Sequence, residues 1–125
     1  MNDFRMPPLS MVMLGVRDLG KSVSFYRDQL GIAVRHQFEG FAFLDTGSVS
    51  IILSEALAKN AANVAGATEV IFTVEDVRTS TEALKNNGIE FVQGPHQVNG
   101  PMWAANFRDP DGHLLTLFGP ERKAA

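Results

Sequence analysis

An α+β fold assembled from two similar half-chains is what this sequence predicts, and three observations predict it. A strand-helix-strand grammar occurs twice, in "LSMVMLGVRDLGKSVSFYRDQLGIAV" and again in "TEVIFTVEDVRTSTEALKNNGIEFV". Val16, Asp18 and Ser22 recur as Val74, Asp76 and Ser80 at a constant offset of 58, and Gly31-Ile32 recurs as Gly88-Ile89 at 57. Each half then closes with an acidic turn and an apolar strand, "FLDTGSVSIILS" in the first and "FRDPDGHLLTLF" in the second. A half of about 55 residues can bury little apolar surface alone, so the two are expected to share one core.

The elements follow in order. Met11 to Val16 is apolar on both faces and reads as a strand; Asp18 is a candidate N-cap, because its carboxylate can accept from free amides of the first helical turn. Leu19, Val23, Tyr26 and Leu30 fall at helical spacing, with Gly31 where a left-handed C-terminal residue is wanted. "IAVRHQF", "FAFLDTG" and "SVSIILS" are short strands broken by Gly40 and Gly47. In the second half Asp76 caps a helix through Val77, Ser80 and Leu84, and Gly88 precedes a new strand. Between the halves, the Ala-rich, turn-prone "EALAKNAANVAGA" reads as a connector. The expected organisation is a single domain over 1–125, with module one at about 9–54, the connector at 55–67 and module two at about 68–119.

Composition removes several function classes. A formal charge of −3 and a pI near 5.5, with eleven scattered Lys and Arg, argue against a nucleic-acid groove. With no cysteine there is no disulfide framework, no thiolate metal site and no cysteine nucleophile. "MNDFRMPPLS" lacks the apolar run of a signal peptide, and no stretch reaches the roughly 20 apolar residues of a membrane span, so a soluble cytoplasmic protein is expected. No serine sits in a nucleophile elbow, and no glycine-rich phosphate loop is present.

Strand parity assigns faces. If Val12, Leu14 and Val16 pack under the first helix, then Met11, Met13 and Gly15 point to the far side; by the offset, Glu69, Ile71 and Thr73 join them. In the closing strand Leu115 and Leu117 take the helix face, and Leu114, Thr116 and Phe118 the far face. Counting four residues from each turn glycine matches Thr116 with Ile51. Met11, Ile51, Glu69 and Thr116 are therefore expected as equivalent positions on one concave surface.

"GVRDLGKSVSFYRDQLGI" and "FRDPDGHLLTLF", with the duplication between them, resemble the vicinal oxygen chelate superfamily, the group of glyoxalase I, bleomycin-resistance proteins and extradiol dioxygenases. The resemblance covers roughly residues 9 to 119 and implies two βαβββ modules forming a U-shaped mixed sheet around a cleft, with helices on the outer face and a homodimer as the assembly. It leaves function open, since the family includes metal-dependent lyases, isomerases and dioxygenases beside metal-free drug-binding proteins. The family's metal ligands, His, Glu or Gln on the first and last strands of each module, transfer to Met11, Ile51, Glu69 and Thr116. Only Glu69 is a normal ligand for a divalent cation, so no standard metal centre and no cofactor are expected.

Glu69 is the sharpest remaining candidate, as a general base or the partner of a cationic ligand; a solvated carboxylate at a strand start is its bland alternative. Asp109, Pro110, Asp111 and Gly112 suit a tight turn. His113, just after that turn, reads as a surface residue; His36 could line the cleft or face solvent, and His96, in a Gly- and Pro-punctuated loop of the kind that borders ligand sites, reads first as an ordinary exposed histidine. Trp103, Phe41, Phe43 and Phe107 could form a stacking wall, with packing or an interface favoured for Phe43 and Phe107. The leading expectation is a metal-independent small-molecule binding protein of the bleomycin-resistance-like type. Its apolar or aromatic ligand would lie among Met11, Met13, Ile51, Glu69, Trp103 and Thr116. The rival is a metal-dependent glyoxalase-like lyase, isomerase or dioxygenase with a non-standard set such as Glu69 with His36 or His96, so whether the chain is an enzyme stays open.

Overall fold

The computed structural model describes residues 9–60 and 68–122. Its elements are β1 (Met11–Gly15), α1 (Leu19–Ser24), β2 (Ala33–Phe38), β3 (Phe41–Asp45), β4 (Ser50–Ser54) and α2 (Glu55–Asn60), then β5 (Glu69–Thr73), α3 (Val77–Asn86), β6 (Phe91–Asn99), β7 (Met102–Arg108) and β8 (Leu114–Pro120). They form two four-stranded mixed sheets of matching order, β1-β4-β3-β2 and β5-β8-β7-β6. In each, the opening strand runs parallel to the closing strand and the other pairings are antiparallel. No helix among the described residues is long and apolar enough to cross a membrane.

Local chemistry accounts for the helices. Asp18 caps α1 by accepting from the Lys21 amide at 3.1 Å, and Asp76 caps α3 by accepting from Arg78 N at 3.1 Å. Glu55 adds a second acceptor at the start of α1, with Oε2 at 2.8 Å from Leu19 N. After Ser24 the helix widens into a π-helical turn over Phe25–Gln29, where Leu30 N donates to Phe25 O at 3.2 Å. The wider turn lets two consecutive aromatics bury together: Phe25 and Tyr26 meet edge to face at 5.1 Å between ring centres.

Leu14, Val16, Leu44 and Leu53 of the first half join Phe107, Leu115 and Leu117 of the second in one buried cluster, so the helix-facing sides of both sheets share a core. Burying each such side chain contributes about 1.5–3 kcal/mol. The halves are also locked through the acidic turn. Asp111 accepts from Arg17 N and Nε, both at 2.9 Å, and from Ser22 Oγ at 3.2 Å. Tyr26 Oη donates to Asp109 Oδ2 at 2.8 Å. Burial, and then the Asp109 charge and hydrogen bond, push the Tyr26 phenol far above its usual value. Gly112 holds a φ of 92°, which a side chain would strain. Gln29 and Asn87, 58 residues apart, exchange side-chain to backbone bonds at 3.3 and 3.1 Å and mark the approximate twofold between the halves.

Four expectations are corrected. Part of the connector is a helix, α2, which packs on β1; residues 61–67 lie outside the described residues. His113 is buried, with Nε2 at 2.7 Å from Gly15 O, because the turn inserts between the halves instead of facing water. His96 lies on a strand, not a loop: Gly94 and Pro95 are absorbed by register shifts along β6, an outer edge strand, where a missing N–H costs no ladder bond. Ile51 pairs with Val12 on the core side, whereas Ile52 pairs with Met13. Gly47 stands three residues before its closing strand and Gly112 only two before its own, so five residues from Gly47, not four, reach the position matching Thr116.

Candidate functional site

Pairing across the strands fixes which side chains share the face turned away from the core, because aligned neighbours point the same way. In module one that face carries Met11, Met13, Ile52 and Phe43, followed by His36 and Phe38 on β2. His36 and Phe38 reach it through a bulge between Val34 and His36, which reverses the alternation that would have turned them inward. His36 stacks on Phe38, and Phe38 meets Phe43 edge to face, each pair with ring centres 6.1 Å apart. Phe43 is thus half-buried on the open face, while Phe107 is packed in the core.

Module two turns a more polar row outward: Thr116, Asn106 and Gln93 are aligned neighbours on β8, β7 and β6, beside the apolar Ile71 on β5, with Glu69 next along β5. Asn106 Nδ2 donates to Thr116 Oγ1 at 2.8 Å, and the Thr116 hydroxyl donates its single proton to Glu69 Oε2. The direction is forced, since an amide nitrogen only donates and a carboxylate only accepts. Thr116 is buried and Glu69 exposed, so the chain runs from the sheet to its surface. Asn106 was not singled out by the sequence; its signal is a lone amide alternating with Ala105 and Phe107 in the apolar "WAANF".

A groove of about 550 Å³ lies between the halves, lined by Leu9, Val12, Thr46, Ser48, Val49 and Ile51 from one side and by Glu69 through Thr73 from the other. Its volume is within the roughly 300–1,000 Å³ of small-molecule sites. Glu69 is the sole charged residue of its lining. Ile51, although turned from Met11, reaches this groove, whereas Met11, Met13, Thr116 and Trp103 are not among its lining residues. Trp103 pairs with Gly119 and Gln97, which puts it on the side opposite Thr116 and corrects its expected place in the cleft. The reason is strand parity: Trp103 alternates with Ala104, the neighbour of the outward Phe118.

The donors do not fit a divalent cation. At the positions where a metal would be held stand Met11, Ile52, Glu69 and Thr116, and the Thr116 proton is committed to Glu69. His96 and Glu69 sit on opposite edge strands of one sheet, strands three spacings or about 14 Å apart, and His96 is aligned with Thr73 at the far end of β5. His36 lies on β2, the edge of the other sheet farthest from β1, and no cluster of three or more His, Cys, Asp or Glu forms among the described residues.

Comparison with known proteins gives a consistent picture. Residues 9–117 match the family described as the Glyoxalase/Bleomycin resistance protein/Dioxygenase superfamily. The chain is 29% identical to the uncharacterized protein YraH of Bacillus subtilis, over 88% of this chain and 96% of that one. It is 30% identical to the glutathione transferase FosA of Serratia marcescens, over 87% and 78% of the two chains. A solved glyoxalase/bleomycin resistance protein/dioxygenase from Nocardioides superposes with a TM-score of 0.77 at 22% identity, over 97% of this chain and 88% of that one, a likeness of fold alone.

Proposed function

The chain belongs to the Glyoxalase/Bleomycin resistance protein/Dioxygenase superfamily, and from that premise we propose that it is a metal-independent small-molecule binding protein of the bleomycin-resistance-like type. The observation that carries this reading is the groove between the halves, mostly apolar, with Glu69 its single charge. Such a lining favours an apolar or aromatic body by burial and leaves one carboxylate to orient it. The surrounding donors support a metal-free role, because they offer one carboxylate where a cation needs several converging ligands.

The assembly proposed is a homodimer. Met11, Met13 and Phe38 on one outward face and Ile71 on the other are 52, 44, 58 and 55% exposed. Apolar faces of this kind are uncommon on isolated chains and are covered by pairing with a second copy. Sedimentation velocity is expected to give a dimer, and Met13→Glu with Phe38→Glu a monomer; a monomeric parent protein overturns the assembly.

A metal-dependent lyase, isomerase or dioxygenase is the second reading, favoured by membership of a superfamily that takes its name in part from glyoxalases and dioxygenases. Plasma mass spectrometry of the protein, before and after incubation with Mn, Ni, Zn and Fe(II), separates the two. Occupancy near zero, together with thermal-shift responses to small molecules that survive chelator, is the expected outcome. Occupancy near one per chain that is abolished by Glu69→Ala overturns the metal-free role.

A further inference from the structure

We infer that the groove selects organic cations, an apolar body carrying one protonated amine, and that Thr116 and Asn106 set this preference by holding Glu69. The inference rests on the small-molecule binding reading above and specifies its ligand. Glu69 Oε2 is tied by the Thr116 hydroxyl, and Oε1 has no hydrogen-bond partner among the described residues. No Lys, Arg or His within 4.0 Å pairs with Glu69 there either. Among the described residues, an acidic group is therefore held in a fixed orientation beside an apolar groove, with one acceptor oxygen open and no counter-charge. Placing a second carboxylate there would set like charges together, and a neutral ligand would gain no charge attraction from the open oxygen.

A metal cation does not answer this geometry, because it requires several donors and finds one. An ammonium group does, because one N–H can meet Glu69 Oε1 while its remaining donors face the solvent to which Glu69 is exposed. The two polar residues behind Glu69 have separate parts. Thr116, buried, has its proton committed and cannot donate to a ligand, so it orients the carboxylate. Asn106 fixes the hydroxyl's direction by occupying its acceptor side.

The test is calorimetric titration of the full chain at neutral pH with three probes of one shape: 1-naphthylmethylammonium, 1-naphthalenemethanol and 1-naphthoate. The ammonium is expected to bind at least about tenfold more tightly than the alcohol, as a hydrogen bond to a charged group allows, and the naphthoate most weakly. Glu69→Gln should erase the advantage of the ammonium over the alcohol. Thr116→Val should reduce that advantage and Thr116→Ser retain it, a rescue that depends on the hydroxyl. Naphthoate binding as tightly as the ammonium, or an advantage that survives Glu69→Gln, overturns the inference and leaves the binding reading standing. No saturable binding of any probe overturns both.

Discussion

Replacing Tyr26 by phenylalanine removes one oxygen and almost no volume, which makes it a clean probe of how the two halves are joined. Tyr26 is fully buried, and its hydroxyl is the only partner of Asp109 Oδ2 among the described residues. Asp109 Oδ1 is already occupied by the amides of Asp111 at 2.9 Å and His113 at 2.8 Å. The variant thus leaves a buried carboxylate oxygen unpartnered without opening a cavity. Hydrogen bonds to charged groups are worth about 1.5–3 kcal/mol, so a loss of about 2 kcal/mol is expected. For a chain of this length that lowers the melting temperature by about 8 °C. Urea unfolding followed by the fluorescence of Trp103, the single tryptophan, should show a lower midpoint with an unchanged slope. Alkaline pH supplies a second readout. The phenol is raised from 10.0 by burial first and by Asp109 next, so its contribution is fully present below pH 10.0 and is lost as pH rises toward the folded value. The parent should therefore lose stability above pH 10.0 more steeply than Tyr26→Phe. A loss below about 0.5 kcal/mol, the scale of ordinary surface changes, would refute the claim that this bond joins the modules.

Other expectations follow from the same geometry. Gly119→Ala would drive a Cβ into the Val74 carbonyl oxygen, so it should cost about 3 kcal/mol or more by thermal unfolding, whereas Gly94→Ala, with nothing within 4 Å, should cost far less. The Asp76 carboxyl is held below its usual range, chiefly by the Thr79 hydroxyl. A lowered acid of this kind stabilises above its unfolded value and loses that contribution as pH falls through the folded one, so Asp76→Asn should flatten the acid limb of a stability profile. His113→Leu should cost stability by leaving the Gly15 carbonyl without its 2.7 Å partner, measured by urea unfolding at neutral pH.

What the sequence discloses depends on where alternation is unbroken. Module two's outward Glu69, Ile71 and Thr116 follow from counting, because β5, β7 and β8 pair without a register shift. Module one resists the same count. Gly47 lies one residue farther from its closing strand than Gly112 does, which exchanges Ile51 for Ile52, and a bulge brings His36 and Phe38 to a face that simple alternation denies them. The Asn106 to Thr116 to Glu69 chain joins three strands, and Tyr26 finds Asp109 across 83 positions; such partners depend on tertiary packing rather than local pattern. Burial of His113 was hidden for that reason too, since its neighbours in sequence form a turn that is ordinarily exposed.

The irregular pairing of β2 and β6 also bears on how the protein behaves at high concentration. These are the outermost strands of their sheets, where unpaired N–H and C=O groups would template the addition of further chains. A register break in β2, three in β6 and the missing N–H of Pro95 spoil that template. Strands β1 and β5 carry no such break in their five-residue ladders. Uncontrolled fibre-like growth is thus blocked at the two outer margins, and any sheet extension is confined to the margins that flank the groove.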